Sequence, residues 1–279
     1  MPNKPVYLNG RYLPIEAAHI SVLDRGFLFG DGVYEVIPAY RGRLFEFDAH
    51  MARLDNSLAA VRIGNPHSLD KWRSIFAPLL EDGTDQYLYL QITRGVAPKR
   101  DHLFPENVEP TVFAMSSPIL PYPERETGIK AACLEDSRWQ NCHVKAITLL
   151  ANVLLRQEAS ERGGAEAILV KNGFVTEGSS SNVFAVRNGT LITPPLSHDI
   201  LPGITRAVIL KIAEAHHISY REQSISIDDL KQADEIWIAS SIREIVPVIE
   251  LDGRPIGAGK PGPVWQTVHS LFQAYKHSF

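Results

Sequence analysis

His143-Val144-Lys145-Ala146-Ile147-Thr148-Leu149-Leu150 sets one charged side chain inside an apolar run. Apolar residues recur beyond it at helical spacing, which predicts a helix over Ala146 to Arg162, closed by Gly163-Gly164. A lysine that opens a helix is ordinarily solvated. Val144, Ala146 and Ile147 around Lys145 argue for a further use. Downstream, Val175-Thr176-Glu177-Gly178-Ser179-Ser180-Ser181-Asn182 sets a carboxylate before three hydroxyls and an apolar strand. Locally Thr176-Glu177-Gly178 reads as a hairpin turn. Small donors beside a carboxylate also suit a polar ligand site.

A lysine amine forms a Schiff base with an aldehyde, and a carboxylate can keep a pyridine nitrogen protonated. Lys145 and Glu177 are therefore the two groups that a pyridoxal-type cofactor needs from a protein.

Strand signals follow the same region. Residues 167–170 and 182–186 read as strands flanking an Asn172-Gly173 turn, 191–193 continues after Asn188-Gly189, and 235–239 is a buried strand. A helix is expected over 204–216. Toward the N-terminus, residues 6–13 read as a hairpin about Asn9-Gly10. Asp48 is the expected N-cap of a helix over 49–63, with Met51, Leu54, Leu58 and Val61 on one face. A second helix is expected over 69–80, and strands at 87–93 and 111–115.

Ser116 to Pro123 holds Pro118, Pro121 and Pro123. Proline fixes φ and removes donors. A linker at 117–123 is therefore expected between an N-terminal α/β domain, 1–116, and a C-terminal α/β domain, 124–279, carrying Lys145. Strands and helices mix without strict βαβ alternation, so the fold class is α/β (or α+β).

The 279 residues suit two domains, and 44% apolar with 22% charged residues suit a soluble globular protein. A formal charge of −4 offers no basic excess for nucleic acid. Two cysteines, Cys133 and Cys142, fit a reducing cytoplasm. No run reaches the roughly 20 apolar residues of a membrane span, and no signal core opens the chain. Gly30 and Gly32 lack the third glycine of a dinucleotide fingerprint, and the stretch 253–263 fails as a P-loop. Histidines are scattered without ligand spacing, so no metal site is expected.

Anion sites are better represented. Leu201-Pro202-Gly203-Ile204-Thr205-Arg206 enters a helix, whose free amides and dipole favour an anion. Ser240-Ser241 follows a strand as a donor pair. Arg53 reads as a surface ion pair or as a guanidinium turned toward phosphate. Between Thr93 and Pro105, Arg100 and His102 could clamp a carboxylate; alone, the stretch is a charged loop.

In this order, Asp24-Arg25-Gly26, Phe29 to Glu35, Lys145, Thr176 to Asn182 and Leu201 to Arg206 resemble the motifs of the fold-type IV pyridoxal phosphate enzymes over nearly the whole chain. These are D-amino acid transaminases, branched-chain aminotransferases and aminodeoxychorismate lyases. Gly32-Val33-Tyr34-Glu35 and Arg100-Asp101-His102 with Phe104-Pro105 are most similar to the D-amino acid transaminases.

The resemblance implies the two-domain architecture of that fold type. It implies transamination of D-alanine- or D-glutamate-type donors with 2-oxoglutarate or pyruvate as acceptor; lyase and branched-chain L-transaminase activities are the alternatives. Lys145 would carry the cofactor and move the proton, and Glu177 would meet the ring nitrogen. Arg53, Ile204, Thr205 and Ser241 would hold the phosphate, with Leu201 under the ring and Ser181 and Ser240 beside it. Tyr34, Arg100 and His102 would take the substrate carboxylate, the last two from the second subunit of a homodimer whose site lies in a cleft between domains. Pro98-Lys99-Arg100 is one residue longer than the family pattern, which leaves Lys99 and Arg100 both available. Ile242 is more apolar than the small polar residue often found there.

Overall fold

The computed structural model describes residues 4–278. The chain divides into two compact units. One runs to Leu120 and includes Val144–Leu149; the other takes Pro121–His143 and everything from Leu150. The segment around Lys145, expected in the C-terminal domain, groups with the N-terminal unit.

The N-terminal unit holds β1 (Val6–Leu8), β2 (Arg11–Leu13), α1 (Arg25–Phe29), β3 (Gly32–Tyr40), β4 (Arg43–Leu44), α2 (Phe47–Ala60), α3 (Leu69–Phe76), β5 (Gln86–Thr93) and β6 (Thr111–Pro118). Its six strands form one antiparallel sheet in the order β2-β1-β6-β5-β3-β4. Val33, Ile37, Leu88, Leu90, Ile92 and Ala114 share a core with Met51, Leu54 and Leu58 of α2 and Trp72, Ile75 and Phe76 of α3. Burying such side chains contributes about 1.5–3 kcal/mol each.

The α2 stripe was legible in the sequence, but its boundary shifts. Glu46, at φ 50°, precedes the helix, and Asp48 lies in the first turn, paired with Arg73 at 2.5 Å. Phe47 is buried, so packing draws the helix start two residues earlier than Asp48 capping would. The helix expected to reach residue 80 ends at Phe76 and passes into a 3₁₀ turn, Ala77–Leu79, with Pro78 inside it. Strand β6 runs to Pro118, into the expected linker.

The C-terminal unit holds α4 (Glu124–Thr127), β7 (Ile129–Glu135), α5 (Leu150–Glu161), β8 (Glu166–Lys171), β9 (Phe174–Gly178), β10 (Asn182–Arg187), β11 (Thr190–Thr193), α6 (Ile204–Ala215), β12 (Tyr220–Glu222), α7 (Ile227–Lys231), β13 (Glu235–Ser240), β14 (Glu244–Leu251), β15 (Arg254–Pro255) and α8 (Pro263–Ser278). A nine-stranded mixed sheet runs β12-β11-β10-β13-β14-β7-β8-β9, with β15 beside β14. Pairs β11/β12, β14/β7 and β7/β8 are parallel.

Two expectations are corrected here. Helix α5 starts at Leu150, because the preceding residues bond to β3 instead. Across the Asn172-Gly173 turn, both residues at positive φ, β8 pairs with β9 and not with β10. β10 lies between β11 and β13.

Candidate active site

In the N-terminal unit, β4 covers only Ala39 and Tyr40 of β3, so the first residues of β3 keep an open edge. Residues 145–147 fill it. The Tyr34 amide donates to the Lys145 carbonyl (3.0 Å), the Ile147 amide to the Gly32 carbonyl (3.1 Å), and Val33 bridges Ala146. Ser57 Oγ accepts from the Lys145 amide at 3.2 Å. Val144 and Ala146 join the core, and the half-buried Lys145 side chain puts Nζ 4.2 Å from the Tyr34 ring centroid. Gly32 is required there, since a Cβ would stand 2.6 Å from the Ile92 carbonyl oxygen.

Arg53 is buried on α2 and grips Glu35 with Nε to Oε1 (2.7 Å) and Nη2 to Oε2 (2.8 Å). His50 Nδ1 lies 2.8 Å from the same carboxylate. Burial raises the Glu35 carboxyl, but Arg53 and His50 outweigh it and hold it well below the ordinary range. Burial lowers His50 against the pull of Glu35, favouring the neutral ring. Of the two sequence readings of Arg53, the ion pair is present, and it is buried rather than superficial.

Arg100 and His102 stand exposed on the loop between β5 and β6, over the Phe29 ring at 5.1 Å and 5.3 Å from its centroid. Lys99 is ion-paired with Asp101 at 3.1 Å.

In the C-terminal unit, Glu177 lies in β9, buried. Its Oε1 accepts from Arg138 Nη1, and its Oε2 from the Leu201 amide (3.0 Å) and Asn182 Nδ2 (3.1 Å). Burial pushes the carboxyl up to about 7, against Arg138 and the Leu201 amide. Asn182 also donates to the Leu201 carbonyl at 2.9 Å, tying β9, β10 and the approach to α6 into one frame. Ile204 and Thr205 open α6 behind Gly203, with no acidic residue in its first turn. First-turn amides have no intrahelical acceptor. Ser240 ends β13 and Ser241 begins the following turn, close in register to Asn182, which pairs with Ala239.

The three serines do not serve Glu177. Ser179, Ser180 and Ser181 all donate to Glu166, a fully buried carboxylate on β8 that also pairs with Arg243 and Arg156. Sequence reasoning missed Glu166, Asn182 and Arg138. Arg138 also holds Asp136 (2.7 Å) and the Asp199 carbonyl (3.1 Å). Asp136-Ser137-Arg138 has no local signature as a site, because Glu177 and Asp199 reach Arg138 from another strand and another loop.

The C-terminal residues fit a pyridoxal-type group: a buried carboxyl for a ring nitrogen, and a helix N-terminus with a hydroxyl pair for an anion. Among the described residues no cluster could hold a metal, and no helix is long and apolar enough to cross a membrane.

Residues 32–251 match the family model described as Amino-transferase class IV. The chain is 40% identical over 271 residues to a D-alanine aminotransferase of Bacillus licheniformis, covering 96% of this chain and 95% of that one. The branched-chain aminotransferase of Thermoproteus uzoniensis, solved with norvaline, is similar at TM-score 0.88 and 30% identity, covering 97% and 94% of the two chains. A T.th. branched-chain amino acid aminotransferase, solved with pyridoxamine 5'-phosphate, is similar at TM-score 0.87 and 25% identity, covering 98% and 94%.

Proposed function

The chain belongs to the class IV aminotransferases, and on that premise we propose that it moves the amino group of a D-amino acid of the D-alanine or D-glutamate type to a 2-oxo acid such as 2-oxoglutarate or pyruvate. Its cofactor is pyridoxal 5'-phosphate. Glu177 carries the reading: a buried carboxyl near pH 7, with its oxygens fixed by three donors, is matched to a ring nitrogen. The preference for D-amino acids rests on near full-length similarity to a D-alanine aminotransferase.

When bound, the cofactor makes the α-hydrogen of the amino acid acidic by accepting the electron pair. We assign Lys145 to hold the cofactor and then to carry the α-proton on Nζ, above the Tyr34 ring. Glu177 keeps a proton on the ring nitrogen. Arg53, rigid on Glu35, would hold phosphate with the Ile204 and Thr205 amides and the Ser241 hydroxyl. Leu201 is assigned to the ring, Ser240 to a hydroxyl contact and Ser181 to a backbone contact, its hydroxyl being taken by Glu166. Tyr34, Arg100 and His102 hold the α-carboxylate, and a fixed carboxylate decides which enantiomer presents its α-hydrogen to the lysine.

The working form is a cytoplasmic homodimer. Exposed Leu150 (72%), Val153 (60%) and Leu154 (61%) on α5 supply an apolar surface for a second copy.

Incubating the purified holoenzyme with D-alanine and 2-oxoglutarate should yield pyruvate, and omitting 2-oxoglutarate should stop it. Turnover of L-leucine without D-alanine would replace this reading with branched-chain transamination. Pyruvate release from aminodeoxychorismate without an acceptor would replace it with the lyase.

A further inference from the structure

Arg100 and His102 stand on an exposed loop that has no helix or strand of its own. A two-pronged grip on a carboxylate needs its prongs held within fractions of an ångström. Arg25, buried at the start of α1, reaches under that loop. Its Nη1 donates to the carbonyls of Asp101 (2.6 Å) and Leu103 (3.2 Å), and its Nη2 to that of His102 (3.4 Å). One guanidinium thus holds three successive carbonyls directly after Arg100.

Arg25 is itself held. Its Nε donates to Asp31 Oδ2 at 2.7 Å, and Asp31 also accepts from Arg94 at 2.8 and 2.9 Å. Arg94 donates to the Val61 and Arg62 carbonyls past the end of α2 (2.7 and 2.9 Å) and carries the Phe104 ring 3.6 Å from its guanidinium. The loop is therefore pinned before and behind the two side chains. Phe29, one turn beyond Arg25, lies under the guanidinium of Arg25 (4.8 Å) as well as under Arg100 and the His102 ring. The local chain makes this possible. Asp24 caps the Gly26 amide at 2.8 Å, and Gly30 at φ 66° turns Asp31 back toward Arg25. A side chain at Gly26 would strike Thr93 Cγ2 at 2.3 Å.

We propose that Arg25, Asp31 and Phe29 are positioning residues for substrate-carboxylate binding, setting the backbone of residues 101–103 and the platform on which Arg100 and His102 rest. The inference depends on the reading that Arg100 and His102 meet the carboxylate. It explains why an arginine stands at position 25. A planar fork reaches three carbonyls and a carboxylate together, whereas a lysine ammonium is a point donor.

The test compares Arg25→Lys, Phe29→Leu and Arg100→Ala holoenzymes. It measures KM and kcat for D-alanine and 2-oxoglutarate, the thermal midpoint, the cofactor absorbance, and calorimetric binding of D-lactate, which offers a carboxylate but no amine. Arg25→Lys and Phe29→Leu should each raise KM and the D-lactate Kd about tenfold while kcat stays within about threefold, the pattern of lost uniform binding. A purely structural role would lower the midpoint or the active fraction and leave KM and Kd of the folded enzyme unchanged. Unchanged KM and Kd in Phe29→Leu, with both raised in Arg100→Ala, overturns the proposal and spares the reading beneath it, whether or not Arg25→Lys folds. No change in Arg100→Ala removes the reading and the proposal together.

Discussion

Glu35 and Glu177 are both buried carboxyls; at Glu35 the cationic and hydrogen-bonding neighbours outweigh burial, whereas at Glu177 burial outweighs Arg138 and the Leu201 amide. Arg53 and His50 hold Glu35 ionised, so Arg53→Ala strands a buried charge and should cost about 3–5 kcal/mol in the cofactor-free protein, measured by denaturant unfolding. An Arg53 that served phosphate alone would leave that protein's stability unchanged. Glu177 rises from 4.5 to about 7, so the folded state binds its proton more tightly than the unfolded state does. Its contribution is complete below pH 4.5, declines as pH rises toward about 7 and is then lost, a change on the order of 3 kcal/mol. Glu177→Gln should flatten this slope in pH-dependent unfolding of the cofactor-free protein. Neither environment was legible from residue identity. Glu35 lies 18 positions from Arg53, and Arg138 lies 39 from Glu177. A pKa follows from neighbours in space.

Among the elements, regular periodicity was legible and irregular pairing was not. The 3.6-residue stripe of α2 showed in Met51, Leu54 and Leu58, all of which are buried. The same apolar signal misled over 146–149, because a short apolar run fits a helix or a strand edge equally well. The open edge of β3 decided between them. β9 was hidden because Thr176 and Glu177 break the apolar alternation that marks a strand, although both are buried. The N-terminus of α6 gives a prediction about an element boundary. A Cβ on Gly203 would stand 1.9 Å from Asn182 Oδ1, and Asn182 holds both Glu177 and Leu201. Gly203→Ala should weaken pyridoxal phosphate binding about tenfold or more, read by fluorescence titration of the cofactor-free protein, with a stability loss of about 1–3 kcal/mol.

Across the full chain, the division into units is not collinear with the sequence, since Val144–Leu149 belongs with the chain before Leu120. A fragment of residues 1–120 lacks Val144 and Ala146 from its core and the bonds that 145–147 make to β3. It should show no cooperative thermal transition, and circular dichroism of the isolated fragment checks this. Residue order alone was enough to read the family, and it offered Lys145, Glu177 and the entry to α6 as candidates, because these chemistries demand particular residue types in short, ordered motifs. It took the folded chain to show that Lys145 lies on a strand edge, that the serines serve Glu166, that Asp101 pairs with Lys99 and that Arg25 holds three carbonyls of the loop carrying Arg100 and His102. Those are contacts between distant segments, selected by which backbone edges and buried charges remain unmatched after the chain has folded.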